Sequence, residues 1–243
     1  MRMLAFANRN AKEILRDPLT MGFGLGFPLV LILLLSAIQA NIPVSLFEIE
    51  HLSPGIAVFG LSFMTLFSAT LISRDRGTAL LQRLYTTPMS AADFILGYTL
   101  PIIPLSVAQS IVCYIVAIIL GLDISVNILL AILFIVPISF LFIALGLLFG
   151  SILNDKQVGG ICGALLTNLS AWLSGTWFDL DLVGGVFKKI AYLLPFVHAA
   201  ELERAVISGN YTGIFPHILW VLGYALLATL AAVFLFLRQM KRQ

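Results

Sequence analysis

Residues 126–149 read VNILLAILFIVPISFLFIALGLLF, a run with no ionisable side chain. An α-helix crosses about 30 Å of hydrocarbon in about 20 residues, so this stretch is long enough to span a bilayer once. Five further stretches meet the same criterion: Met21–Ala40, Pro54–Ile72, Phe94–Leu120, Val158–Phe178 and His217–Leu237. The chain has 243 residues, of which 60% are hydrophobic and 11% charged, with a mean hydropathy of +1.04. Ordinary soluble domains are nearer half apolar and a quarter charged, so this composition belongs in a membrane. The fold class predicted is an all-α polytopic membrane protein of six transmembrane helices, with no room for a sizeable soluble domain. The formal net charge of +2 gives no reason to expect nucleic acid as a partner. Cys113 and Cys162 both lie in apolar runs, which argues against a disulfide scaffold or a zinc site.

The basic residues divide unevenly between alternate sides of the six spans. Arg2, Arg9, Lys12, Arg16, Arg74, Arg76, Arg83, Lys156, Arg238, Lys241 and Arg242 lie on one side, and only Lys188, Lys189 and Arg204 on the other. The positive-inside rule then predicts both termini in the cytoplasm, and a multi-pass protein of a prokaryotic plasma (inner) membrane. Residues 1–20 place Met3, Leu4, Phe6, Ala7, Ala11, Ile14 and Leu15 opposite Arg9, Lys12, Glu13 and Arg16. That pattern predicts an uncleaved amphipathic helix lying in the interface, stopped by Asp17 and Pro18. Pro101 and Pro104 predict a kink at the start of the third span. Gly146 and Gly150 form a small-xxx-small pair suited to close helix packing.

Residues 179–216, before the last span, are too apolar for a solvated loop and too interrupted by Gly184, Gly185, Pro195 and Gly209 to cross. Two short re-entrant helices satisfy the backbone there. Their ionisable residues make His198, Glu201 and Arg204 the extracellular gate candidates; Glu201 and Arg204 are also spaced for an i,i+3 ion pair. His198 and His217 stand apart from any cysteine or carboxylate pattern, so neither is read as a metal ligand.

Residues 73–97 read SRDRGTALLQRLYTTPMSAADFILG. Charges at Arg74, Asp75 and Arg76 precede a short helix with Leu80, Leu81 and Leu84 on one face, ended by Thr87 and Pro88, and Ser90 is placed to cap the next helix. This pattern resembles the permease subunits of ABC exporters of the ABC-2 type. Arg74, Asp75, Gly77, Thr78, Leu84, Thr87, Pro88, Ser90 and Gly97 sit at positions matching their loop. The likeness continues through the N-terminal helix, six spans and the broken segment with Leu194, Pro195, Phe196, Glu201, Arg204 and Gly209. Ser73 departs from the usual acid, and no Glu lies between Gly77 and Pro88.

The resemblance implies a single transmembrane domain, 1–243, that pairs with a second permease copy or a paralogous permease. It also implies ABC ATPase subunits as partners, which bind ATP and Mg; no cofactor is expected in this chain, which has no G-x-x-x-x-G-K-[ST] loop. It carries ATPase-coupling roles onto Arg9, Lys12 and Arg16 of the N-terminal helix. In the cytoplasmic loop 73–93 it carries them onto Arg74, Asp75, Arg76, Gly77, Thr78, Arg83 and Pro88. The uncharged spans suggest a hydrophobic or amphiphilic substrate such as a drug, lipid or peptide. Ser106, Gln109, Thr167 and Asn168 are the pathway candidates. Two alternatives compete. Ser174-Gly175 with His217 suggests a rhomboid-like intramembrane serine hydrolase, but Trp172 stands where that motif needs glycine. An ion-coupled transporter normally carries acids in mid-span, and the six spans have none.

Overall fold

A computed structural model describes residues 2–43, 45, 47–78 and 90–240, and all regular structure among them is helical. In chain order the helices are α1 (Arg2–Arg16), α2 (Pro18–Gln39), α3 (Ile49–Gly77), α4 (Ala92–Ile119) and α5 (Val126–Ile152). They continue as α6 (residues 155–173), α7 (Leu180–Val183), α8 (Gly185–Leu193), α9 (Pro195–Ile207) and α10 (Tyr211–Met240). Five of them, α2, α3, α4, α5 and α10, are long and apolar enough to cross a membrane.

The sixth stretch behaves differently from its reading as Val158–Phe178. Helix α6 starts earlier, on the polar turn Asp155-Lys156-Gln157, contains Asn168 and stops at Leu173. Residues 174–178 are non-helical, because Gly175 takes φ +65°, a conformation that ends a right-handed helix. The second span differs too. It reaches Gly77, so Arg74, Asp75 and Arg76 form the last turn of α3 rather than a loop. Residues 179–216 contain helices α8 and α9, with a one-turn helix before them.

Helix α5 is the hub of the bundle and packs against α3, α4, α9 and α10. Lipid is as apolar as leucine, so close contact rather than burial from water must hold such helices together. Gly146 and Gly150 provide it: a Cβ at Gly146 would lie 2.6 Å from the Thr65 carbonyl oxygen, and one at Gly150 2.8 Å from that of Ala69. Thr65 Oγ1 donates to the Phe142 carbonyl at 2.7 Å across the same seam. Helix α4 breaks at Leu100 and Pro101, where the kink was expected. Its first segment turns to meet α1.

Candidate functional site

The site begins with a carboxylate in an unfavourable place. Asp75 lies at the C-terminal end of α3, where the helix dipole repels negative charge, and it is only 2% exposed. Two groups compensate. Arg9 grips it in bidentate fashion, Nη1 to Oδ2 at 2.8 Å and Nη2 to Oδ1 at 2.9 Å, and Tyr98 Oη donates to Oδ2 at 2.9 Å. Arg9 comes from α1, Asp75 from α3 and Tyr98 from α4, so one carboxylate ties three helices together. Burial opposes the Arg9 charge, but the hydrogen bond and field of Asp75, with a contribution from Glu13, hold the guanidinium above its ordinary pKa.

Apolar packing completes the clasp. The Phe6 ring meets Tyr98 edge-on at 5.0 Å and Phe94 at 5.9 Å. Gly97 admits that ring, since a Cβ there would lie 2.3 Å from Phe6 Cδ1. Asn10, fully buried, donates from Nδ2 to the Gly97 carbonyl at 3.0 Å. The start of α4 is fixed by a capping box, in which the Asp93 amide donates to Ser90 Oγ and the Ser90 amide to Asp93 Oδ2.

The other residues read as coupling residues have different surroundings. Arg76 turns back into the protein, where Nη1 donates to the carbonyls of Gly150 at 2.8 Å and Leu153 at 3.2 Å, capping α5. Arg74 points outward, half-exposed, with Asp155 at 3.4 Å and Asp17 at 4.0 Å. Thr78 Oγ1 donates to the Asp75 carbonyl, and Gly77 has open space around its Cα. Lys12 and Arg16 line a surface cleft of about 710 Å³ with Asn8, Arg9 and Glu13. A second cleft of about 910 Å³ lies between Arg9, Arg74, Thr78 and Lys156. Arg83 and Pro88 lie outside the described residues.

At the other end of α3, Arg204 acts as a second fastener. It is 8% exposed, and its guanidinium reaches Glu201 at 2.7 Å and the carbonyls of Gly175 at 2.9 Å, Ser174 at 3.3 Å and His51 at 3.4 Å. The i,i+3 pair is therefore present, and the guanidinium also satisfies the carbonyls after α6. His198 pairs with His217 rather than with Glu201.

The pathway candidates do not form one lining. Ser106 and Gln109 are buried inside the bundle, with Ser106 bonded to the Ile102 carbonyl and Gln109 Nε2 to Cys113 Sγ. Thr167 and Asn168 sit on α6, where both bond back to their own helix and Asn168 is exposed. Ser174 Oγ is engaged by the Ala171 carbonyl and Thr176, and His217 by His198, so no Ser–His dyad forms.

One residue escaped the sequence reading. Glu203 of α9 is completely buried, accepts from Tyr114 Oη at 2.9 Å on Oε2, and has no hydrogen-bond partner on Oε1. Burial pushes its carboxyl well above the usual range, and the Tyr114 bond opposes this. Helical spacing carried the signal: Glu203 lies four residues after Ala199 and three before Val206, both fully buried.

Long apolar helices, with a polar clasp at the basic end and a second at the other, define a multi-pass membrane protein. Its sequence places it more narrowly. The profile of the ABC-2 type transporter family matches residues 1–208, and the chain belongs to that family. Its members are the transmembrane, non-ATP-binding components of ABC transporters and associate with an ABC ATPase. A comparison with curated proteins returned no match.

Proposed function

We propose that this chain is the permease half of an ATP-driven exporter, moved by a separate ATPase and working as a pair of permeases. The single observation that carries the reading is the buried Asp75, which binds α1, α3 and α4 into one unit at the basic end. Force applied to α1, or to the segment that follows Thr78, enters the bundle through α3 and α4 together. In this reading Lys12, Arg16, Arg74 and the loop with Arg83 and Pro88 meet the ATPase, and Arg9, Asp75 and Arg76 transmit its movement.

Topology follows the charge asymmetry. Helix α6 makes the fifth of six passes, both termini are cytoplasmic, and α1 lies in the inner interface. Helices α8 and α9 dip into the outer leaflet, with Arg204 holding the gate against α3 and α6. The cargo is hydrophobic or amphiphilic, because residues 94–119, α5 and residues 18–39 offer no Asp, Glu, Lys or Arg to a charged one.

Co-expression with an ABC ATPase subunit from the same genome tests this. Copurification, with ATP-dependent outward transport in proteoliposomes that requires both proteins, is the expected result. A chain that binds no ATPase under gentle extraction, or transports without one, refutes the proposal.

A further inference from the structure

Two histidines that are isolated in the sequence meet at the end of the bundle opposite Asp75. His198 Nδ1 and His217 Nδ1 lie 2.9 Å apart, and His198 Nε2 lies 3.0 Å from the Tyr192 carbonyl oxygen. A carbonyl can only accept, so Nε2 carries the proton and Nδ1 of the neutral ring is a lone pair aimed at His217. Burial holds the His198 imidazole below its ordinary pKa; the Tyr192 carbonyl and the Glu201 carboxylate oppose this, and His217 adds to it.

Aromatic neighbours fix its orientation. His198 stacks on Trp220 with centroids 4.8 Å apart and planes 11° apart, and Tyr192 meets it edge-on at 6.0 Å. The charged groups around the pair are already engaged. Glu201, one turn along α9, holds Arg204, and Lys188 sits 5.7 Å above the Tyr192 ring. An imidazole tied to a backbone carbonyl through one nitrogen, with the other facing a second imidazole, has the arrangement of a metal-ligating histidine.

We propose that His198 and His217 form a site for a borderline-soft divalent metal ion such as Zn²⁺, bridging α9 to α10. Zn–N bonds of about 2.0–2.1 Å at a tetrahedral ion put the two nitrogens about 3.3 Å apart, so the rings need to open only slightly from 2.9 Å. His217 moves its proton from Nδ1 to Nε2, so two lone pairs meet the ion and no proton is released. The described residues contain no cluster of three potential ligand side chains, so water completes the coordination and the site stays open. Binding is therefore reversible, and while the ion is bound it pins the short helix α9 to the last span. This inference rests on the two rings alone and stands whether or not the chain is an exporter.

The test uses tag-free, full-length permease in nanodiscs, stripped with chelator and titrated calorimetrically with ZnCl₂. The chain has three histidines, so His51→Gln serves as the control. One Zn²⁺ per chain is expected for the wild type and for His51→Gln, with binding weakened about tenfold or more in His198→Gln and in His217→Gln. His217→Cys keeps a zinc-ligating atom and should retain binding. X-ray absorption on the loaded wild type should show a nitrogen shell at about 2.0 Å, a readout that does not depend on the variants folding. A wild type that takes up no Zn²⁺, or glutamine variants that bind like it, would overturn the site.

Discussion

Replacing Asp75 by asparagine keeps the shape of the clasp and removes its charge. Arg9 then loses a bidentate carboxylate and keeps Glu13, at 2.8 Å, and Asn10 Oδ1, at 2.7 Å, while Tyr98 loses its charged acceptor. Truncating one partner of a fully buried ion pair costs about 3–5 kcal/mol. The Arg9 side chain is 40% exposed, so water recovers part of its solvation, and about half of that cost, ~2 kcal/mol, is the expected loss. Arg9→Gln alone should cost a similar amount, because it strands the buried carboxylate. The double variant should cost little more than either, giving a coupling energy of about 1–3 kcal/mol in a double-mutant cycle. Unfolding of the purified permease in detergent measures the cycle, and ATP-dependent transport with the partner ATPase measures its consequence. Additivity within about 0.5 kcal/mol would refute the clasp as an energetic link. An intact cycle with unimpaired transport in Asp75→Asn would instead remove it from coupling.

Arg74 and Arg76 should separate: Arg74→Glu lowers coupled transport with stability changed by less than about 0.5 kcal/mol, whereas Arg76→Gln orphans the end of α5 and costs about 1–3 kcal/mol, both read by melting and transport assays. Arg204→Lys should not rescue Arg204→Ala in expression and melting assays, because a single ammonium cannot serve Glu201 and three carbonyls as the planar fork does; the alanine variant should lose about 3–5 kcal/mol. Gly150→Leu must displace backbone, and should abolish the monodisperse protein seen by size-exclusion chromatography, while Gly77→Ala is tolerated. His198 has a depressed pKa in the folded protein, with Glu201 and His217 facing it, so it contributes stability above about pH 6.5 that is lost as pH falls through the folded value. The melting temperature of His198→Gln should accordingly depend less on pH over that range.

The membrane helices were legible because an apolar run of span length has few other uses, and the kink at Pro101 because proline leaves a helix short of a donor. What misled was continuity. Ser73 and the charges after it read as the start of a loop, although Asp75 lies four residues beyond Leu71 and seven beyond Ser68, on the buried face of α3. That periodicity, carried one turn further, would have aimed Asp75 inward and left Arg74 outside. The Arg9 grip and the His198–His217 pair join residues 66 and 19 positions apart, and only the packed bundle brings them together. Helix α6 was overextended at its C-terminal end because Ser174–Phe178 is still fairly apolar; the left-handed turn at Gly175 leaves no mark in hydropathy.

The claim at the centre is that α1 and the head of α4 travel as one body when the ATPase drives the bundle. Cysteines in place of Phe6 and Gly97 sit where ring and backbone touch, and Cys113 and Cys162 are both buried and should not interfere. With that pair cross-linked, ATP-dependent transport in proteoliposomes should continue at close to the uncross-linked rate. Transport that stops on cross-linking and returns on reduction would mean that α1 must leave α4 during the cycle, and would contradict the account.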